Sequence, residues 1–411
     1  MKKIGIIGTG IAGLTSAYYL SRHHDVTVFE ANDYIGGHTH TIDVEFDGEH
    51  SAIDTGFIVF NDRTYPNFIR LLDEINVDYQ PTEMSFSVRN DAIGLEYNGH
   101  DLDSLFAQRK NIINAAFLRM LYDIMRFNRS VRRGSPGLQE DTIGDFLDNH
   151  SYGELFANNY LLPMVAAIWS MGLDEIRAFP LQFFTRFFEN HGLLDIVNRP
   201  QWYSIIGGSR SYIEPLTASF RDKIRLSSPV KSIARDKNGV TVTTDSAEEC
   251  FDEVIVACHG DEALDMLADP SEMEQLVLGS FTFSDNDVIV HTDTARLPMA
   301  KKAWASWNYR INSDISDQAT LTYNMNILQR LEKKHTYLVT LNEEVSDEKV
   351  LARLTYTHPV YNNKVIEAQG QWRDISGIDH VHYCGAYWIN GFHEDGVRSA
   401  LRVCEALGVS P

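Results

Sequence analysis

The hexapeptide Gly8-Thr9-Gly10-Ile11-Ala12-Gly13 has the glycine spacing that lets a backbone receive a diphosphate. Gly8 permits a tight turn, Gly10 lets the main chain approach the phosphates, and Gly13 brings the following helix close to the preceding strand. A helix opening at Ile11 and Ala12 offers unpaired amides and a positive dipole end to that charge. Glu30, twenty residues beyond Gly10, can accept hydrogen bonds from ribose hydroxyls. The elements around these residues are in register. Lys3 to Gly8 is a short apolar strand, Ile11 to Arg22 has helical spacing, and Asp25 to Glu30 is a second strand. The unit is β-α-β, and the ligand it predicts is a dinucleotide.

Three further segments select FAD over a nicotinamide. Gly36-Gly37-His38-Thr39, six residues past Glu30, forms a turn whose amides and basic side chain can reach the pyrophosphate. Ala31 lies between this turn and the ribose carboxylate. Pro229-Val230-Lys231-Ser232-Ile233 has the form of a strand that offers the main chain of Val230 to an adenine. The tail HYCGAYWINGFHEDGVRSAL supplies a strand, Gly385, a loop and a second helix opening at Asp395-Gly396-Val397, with amides aimed at a flavin pyrimidine edge. His38 and His40 lack a third ligand, so no metal site is expected. Gly207-Gly208 belongs to no second GxGxxG, so no separate nicotinamide site is expected. An organic substrate would then exchange hydride directly with flavin N5.

The elements that must position these residues come from a long, mixed chain. At 411 residues, two domains are the expectation. The boundaries drawn are 1–60, 205–280 and 375–411 for a discontinuous FAD-binding domain, and 61–204 with 281–374 for a substrate domain. Residues 100–200 read as helical, Lys237-Asn238-Gly239 as a hairpin turn, FDEVIVACHG as a buried strand and 281–345 as several more strands. The fold class is α/β: a Rossmann-like FAD domain with a mixed α+β substrate domain and a helical cap. The net charge of −21 argues against nucleic acid as a partner. Four scattered cysteines give no disulfide or zinc framework, and no run is apolar enough to span a bilayer, so the cytoplasm is the expected location.

These motifs together resemble the flavin-containing amine oxidoreductase superfamily, and more narrowly a bacterial group of FAD-binding proteins associated with modified membrane fatty acids. The chain is also similar to the N-terminal flavin domain of plant cyclopropane fatty acid synthases. The narrower likeness rests on DTGFIVFN from Asp54 to Asn61, YLLPMVAAIWS, NHGLL followed by RPQW, GGSRSY, AWASWNY and CGAYWINGFHEDG. The resemblance adds Thr55, Gly56 and Phe57 to the cofactor contacts and implies a lipid-modifying methyltransferase as a partner. It departs from the amine oxidases in two places. No lysine occurs from Asn238 to Ala300, where those enzymes carry one beside the flavin, and His38 replaces their usual arginine.

Substrate is read from three features. Gln108 to Arg133 carries a helical stripe of Ile112, Ile113, Ala116, Phe117, Met120, Leu121 and Ile124, with seven Lys/Arg against one Asp. That segment is either a cap helix with its stripe in the core or a peripheral contact with the inner membrane face. Tyr160 to Trp169 is apolar enough to line an acyl tunnel or to pack a core. Tyr387 and Trp388 follow Gly385 and either wall a substrate channel or pack beneath the flavin. The candidates for chemistry are His393, Glu394, Trp388 and Asn61, with a capping role open for His393 and Glu394. Cys384 and His38 are conceivable covalent anchors. The preferred function is an FAD-dependent oxidoreductase acting on an apolar or lipid substrate. The alternatives are an amine oxidase and a low-turnover flavin-binding partner of the methyltransferase.

Overall fold

The computed structural model describes residues 1–134, 142–169, 173–190, 199–311 and 320–410. Five parallel strands form one sheet, in the order Ile224–Arg225, Asp25–Phe29, Lys3–Ile7, Glu253–Val256 and Val381–Tyr383. Ile6 sits opposite Val28 on one side and Ile255 on the other, all three without solvent exposure. A strand covered on both faces has no polar side to alternate with, which is why Lys3–Ile7 and Glu253–Val256 read as nearly continuous apolar runs.

The first crossover helix, Ile11–Leu20, is buried along its whole length. One side meets the sheet, and the chain's last helix, His393–Ala406, packs on it from the far end of the sequence. Two glycines set how closely these elements approach. A Cβ at Gly13 would stand 2.0 Å from the Gly8 carbonyl oxygen, and one at Gly396 would stand 2.6 Å from Ile11 Cγ2. The first helix ends at Leu20 and the second strand at Phe29, each slightly earlier than the sequence suggests. The last helix begins at His393, two residues ahead of Asp395.

A three-stranded antiparallel sheet, Val230–Asp236, Gly239–Thr244 and Glu248–Phe251, contains the expected turn at Lys237-Asn238. A seven-stranded sheet lies in the order Val350–Val360, Thr282–His291, Leu338–Leu341, Leu321–Asn324, Trp307–Ile311, Phe86–Asn90 and Leu95–Asn98. It is antiparallel except where Trp307–Ile311 runs beside Phe86–Asn90. That parallel seam joins an early hairpin to a much later meander.

The helices Ala115–Arg132, Ile143–Asn149, Leu162–Trp169 and Leu181–Asn190 contribute to one apolar core, in which Phe127 meets Phe146, Phe156 and Phe184. The expected single stripe from Ile112 to Ile124 is corrected here. A 3-10 turn, Arg109–Ile113, ends at Asn114, whose side chain accepts from the amides of Ala116 and Phe117 and starts a new helix. That break turns Ile112 and Ile113 outward, while Phe117 and Met120 are buried and Leu121 and Ile124 partly so. Of the motifs read from the sequence, Ser170 of YLLPMVAAIWS and His191 to Leu194 of NHGLL lie outside the described residues. Among the described residues no helix is long and apolar enough to cross a membrane.

Replacing Gly13 or Gly396 with valine is expected to lower unfolding stability by about 1–3 kcal/mol or more, because the opposing atoms are backbone or packed core. Denaturant titration of the two variants against wild type measures this.

Candidate active site

A cavity of about 940 Å³ is lined by residues of both the parallel and the seven-stranded sheets. Gly8, Gly10, Ile11, Ala12, Glu30, Ala31, Gly37, His38, Val230 and Gly385, which the motifs assign to the cofactor, lie on this lining, as do Gly56 and Phe57, which the resemblance assigns to it. Gly8 turns with φ +103° while its amide donates to the Phe29 carbonyl at 2.8 Å, closing the strand-to-helix turn. A Cβ on Gly10 would meet nothing within 4 Å, so this backbone faces open cavity. Gly37, at φ +57°, approaches from the opposite loop so closely that its Cβ would lie 3.2 Å from Gly10 Cα. The Glu30 carboxylate accepts from Thr9 and, at 2.9 Å, from the Asn32 amide, which fixes it at the end of its strand.

The remaining cofactor candidates shape the lining from behind. Thr39 Oγ1 hydrogen-bonds the Tyr212 hydroxyl, and Thr55 Oγ1 lies 2.6 Å from Tyr356 Oη. Asp395 Oδ2 accepts from the amides of Asn390 at 3.2 Å and Phe392 at 3.1 Å, so its carboxylate holds the loop Asn390–Phe392, whose residues do line the cavity. Burial pushes that carboxyl up to about 7. Gly13 serves the packing of the first helix on the Gly8 turn and Gly396 the contact between the two helices; both, with the buried Val397, lie off the lining.

Of the four candidates for chemistry, the lining contains only His393. Its ring stacks on Phe57 with centroids 3.7 Å apart, and its Nε2 lies 2.8 Å from Tyr212 Oη. Burial, with the neighbouring His38, holds its pKa well below the ordinary histidine value, so the ring is a neutral wall. Glu394 turns away: its carboxylate accepts from the Phe68 amide at 2.9 Å and from Asn67 Nδ2 at 2.6 Å, capping the helix Pro66–Glu74. The capping role left open for it is therefore found, on a different helix from the expected one. Trp388 packs edge-on against Phe281 at 4.8 Å. Asn61 accepts from the amides of Arg63 and Thr64 at 2.9 and 2.8 Å, closing a local turn. Cys384 is buried 3.9 Å from Ser16 Oγ, with burial pushing its thiol up to about 12, and is likewise off the lining.

The other end of the cavity is apolar and aromatic. Tyr160, Met164 and Ile168 recur every four residues and line it together, while Leu161, Val165 and Ala166 from the same run are buried in the core. Both readings of that run hold, one on each face. Met84, Phe86, Trp202, Trp307 and Tyr323 add to this end, and Tyr387 joins the lining without Trp388. Among the described residues Arg199 is the one Lys or Arg on the lining. Tyr361 also lies there, buried, its hydroxyl without a hydrogen-bond partner among the described residues and held neutral by burial. Tyr361 and His358 escaped the sequence reading because nothing around them forms a motif, and His259 was read only as the end of the buried strand run FDEVIVACHG. Arg199 lay inside a motif, RPQW, but its spacing carried no chemistry.

The glycine-walled end suits a diphosphate. Gly10 leaves open space, two loops present main chain to it, and the buried Nε2 of His38 has no hydrogen-bond partner among the described residues. Burial and the nearby His358 and His259 hold His38 near a pKa of about 3 when nothing anionic faces it.

Residues 11–281, well over half of the chain, match the model of the flavin containing amine oxidoreductase family. The chain belongs to the flavin-containing amine oxidoreductases. Its cofactor is FAD, as the three-segment reading of its sequence proposed. A putative flavin-containing monoamine oxidase, AofH, of Mycobacterium tuberculosis is 27% identical over 267 residues, which is 61% of this chain and 56% of the relative. A 1-hydroxycarotenoid 3,4-desaturase of Flavobacterium is 28% identical over 218 residues, 52% of this chain and 41% of the relative. The matches thus span about half the length of these relatives. In fold, the chain is similar to a CLA-producing fatty acid isomerase from P. acnes, at a TM-score of 0.69 and 13% identity over 99% of each chain.

Two variants separate site from scaffold. Gly10→Leu is expected to fold, because its side chain enters open space, yet to purify without flavin, as a visible spectrum will reveal. Glu394→Ala is expected to lose about 1–2 kcal/mol of stability through the lost helix cap while turnover per bound flavin stays near wild type.

Proposed function

We propose that this amine oxidoreductase-family enzyme acts on the acyl chain of a lipid, desaturating, saturating or isomerising it. The observation that carries the reading is the row Tyr160, Met164 and Ile168, which turns one face of a core helix into apolar cavity wall continuous with the glycine-lined end. An apolar chain laid along this wall exchanges water for side-chain contact along its length, at roughly 25 cal/mol per Å² of apolar surface covered. The 1-hydroxycarotenoid desaturase and the fatty acid isomerase support a long hydrocarbon chain as a substrate type in this fold. The likeness to flavin domains of cyclopropane-lipid enzymes points the same way.

In this reading residues 1–60, 205–280 and 375–411 hold FAD, which supplies hydride exchange at N5 when bound, and 61–204 with 281–374 hold the lipid. Gly8, Gly10, Gly37 and the amides of Ile11 and Ala12 receive the diphosphate, and Glu30 the ribose. His393 and Phe57 wall the site against water. Tyr361 offers a neutral hydroxyl to the reacting region, and Arg199 a positive charge to an anionic head group. An amine would want a carboxylate or an aromatic pair beside the flavin. The position of Arg199 favours the anion.

Anaerobic mixing of the flavin-loaded enzyme with phospholipid extracts, including unsaturated and cyclopropane-bearing chains, tests the proposal. Oxidised flavin absorbance should bleach, or the chains should change in mass or double-bond position. Inertness toward every acyl lipid together with peroxide release from an amine panel would replace this reading with the amine-oxidase one.

A further inference from the structure

Thirteen large hydrophobic side chains stand exposed among the described residues, and five of them, Ile112, Ile113, Leu118, Tyr122 and Met125, fall between residues 112 and 125. The helix Ala115–Arg132 already has a core face, made by Phe117, Met120, Phe127 and Val131. Leu118, Tyr122 and Met125, four and three residues apart, therefore form a second apolar row on the solvent side, 43%, 56% and 54% exposed. Such a row costs solubility and adds nothing to the core, so it calls for a partner.

The charges around it say which kind. Seven Lys or Arg occupy residues 108–133, in a chain whose net charge is −21. Arg129 and Arg132 stand exposed beside the apolar row, and Arg109 and Lys110 in the turn before the helix. The helix's one acid, Asp123, is fully buried, where it pairs with Arg119 and Arg126. Arg109 is paired with Asp103, but no carboxylate of the helix Ala115–Arg132 faces outward beside Arg129 and Arg132.

The patch also lies beside the apolar end of the cavity. Phe117, on the helix's inner face, packs against Tyr97 at 5.7 Å, and Tyr97 lines the cavity. Two exposed lining residues, Gly99 and Arg199, meet there, with Arg199 Nη2 3.5 Å from the Gly99 carbonyl, and Leu102 follows at 75% exposure.

We propose that the outer face of this helix, with the turn before it, docks on an anionic lipid bilayer. Leu118, Tyr122, Met125, Ile112 and Ile113 enter the boundary between head groups and chains, and the flanking guanidinium groups meet lipid phosphates. The patch stands independently of the acyl-chain proposal, since a membrane-docked enzyme could still act on another substrate.

Flotation of the flavin-loaded full chain with vesicles tests it. Partition onto equimolar phosphatidylglycerol and phosphatidylcholine should exceed that onto phosphatidylcholine alone by about tenfold or more, and fall when NaCl is raised to about 0.5 M. Leu118→Ser/Tyr122→Ser/Met125→Ser and Arg129→Glu/Arg132→Glu should each reduce partition by about tenfold while keeping the flavin spectrum and melting temperature, because all five side chains are exposed. Failure of wild type to float with anionic vesicles, or equal flotation of both variants, overturns the proposal. So does concentration-dependent dimerisation that the triple variant abolishes without any vesicle binding.

Discussion

The structure depends on how closely backbones approach at the carboxyl end of the central strand. Gly8 turns the chain, Gly13 lets the first helix press against that turn, and Gly396 lets the last helix press against the first. Any side chain at Gly13 would displace the turn, and with it the amides of Ile11 and Ala12 that line the cavity. The contact joins residues nearly the whole chain apart and puts the Asn390–Phe392 loop on the same cavity as the glycine turn.

The polar residues near the cavity divide by what they hold. Glu30 and Asp395 are tied to main-chain amides, so their first effect is to fix loops. Glu394 fixes a neighbouring helix. Among the described residues, few buried side-chain atoms on the lining lack a hydrogen-bond partner: the His38 Nε2, the Trp307 Nε1 and the hydroxyls of Tyr361 and Tyr387. An enzyme whose cofactor carries the redox chemistry can work with so few groups, since the protein's contribution is position, polarity and exclusion of water. The break at Asn114 has a comparable effect on the cap. By ending one turn and starting a new helix it separates Ile112 and Ile113 from the buried stripe and turns them outward.

Much of the cofactor end was legible in the sequence. Glycine spacing, the strand before it and the carboxylate twenty residues on are local constraints, and each leaves its mark within a short window. Ten residues read from the sequence motifs lie on the cavity lining, with Gly56 and Phe57, which the resemblance added. The parallel strands were legible for the same reason, because burial on both faces leaves a continuous apolar run. The later hairpin announced itself through Asn238-Gly239.

Side-chain direction and long-range pairing were decided only by tertiary structure. Glu394 and His393 are adjacent in sequence, yet one caps a distant helix and the other walls the cavity, because successive helical residues point about 100° apart. The parallel seam between Phe86–Asn90 and Trp307–Ile311 unites strands some 220 residues apart, as the register of Trp307 with Phe86 shows, and no local pattern encodes it. Tyr361 and Arg199 reach the same cavity by that packing alone. The sequence by itself determined that a dinucleotide would be held and where the backbone would leave open space for it, since backbone geometry there is dictated by which residues lack a Cβ. Which side chains would face the cavity was settled by the meeting of two sheets, an arrangement that exists only once distant segments have packed.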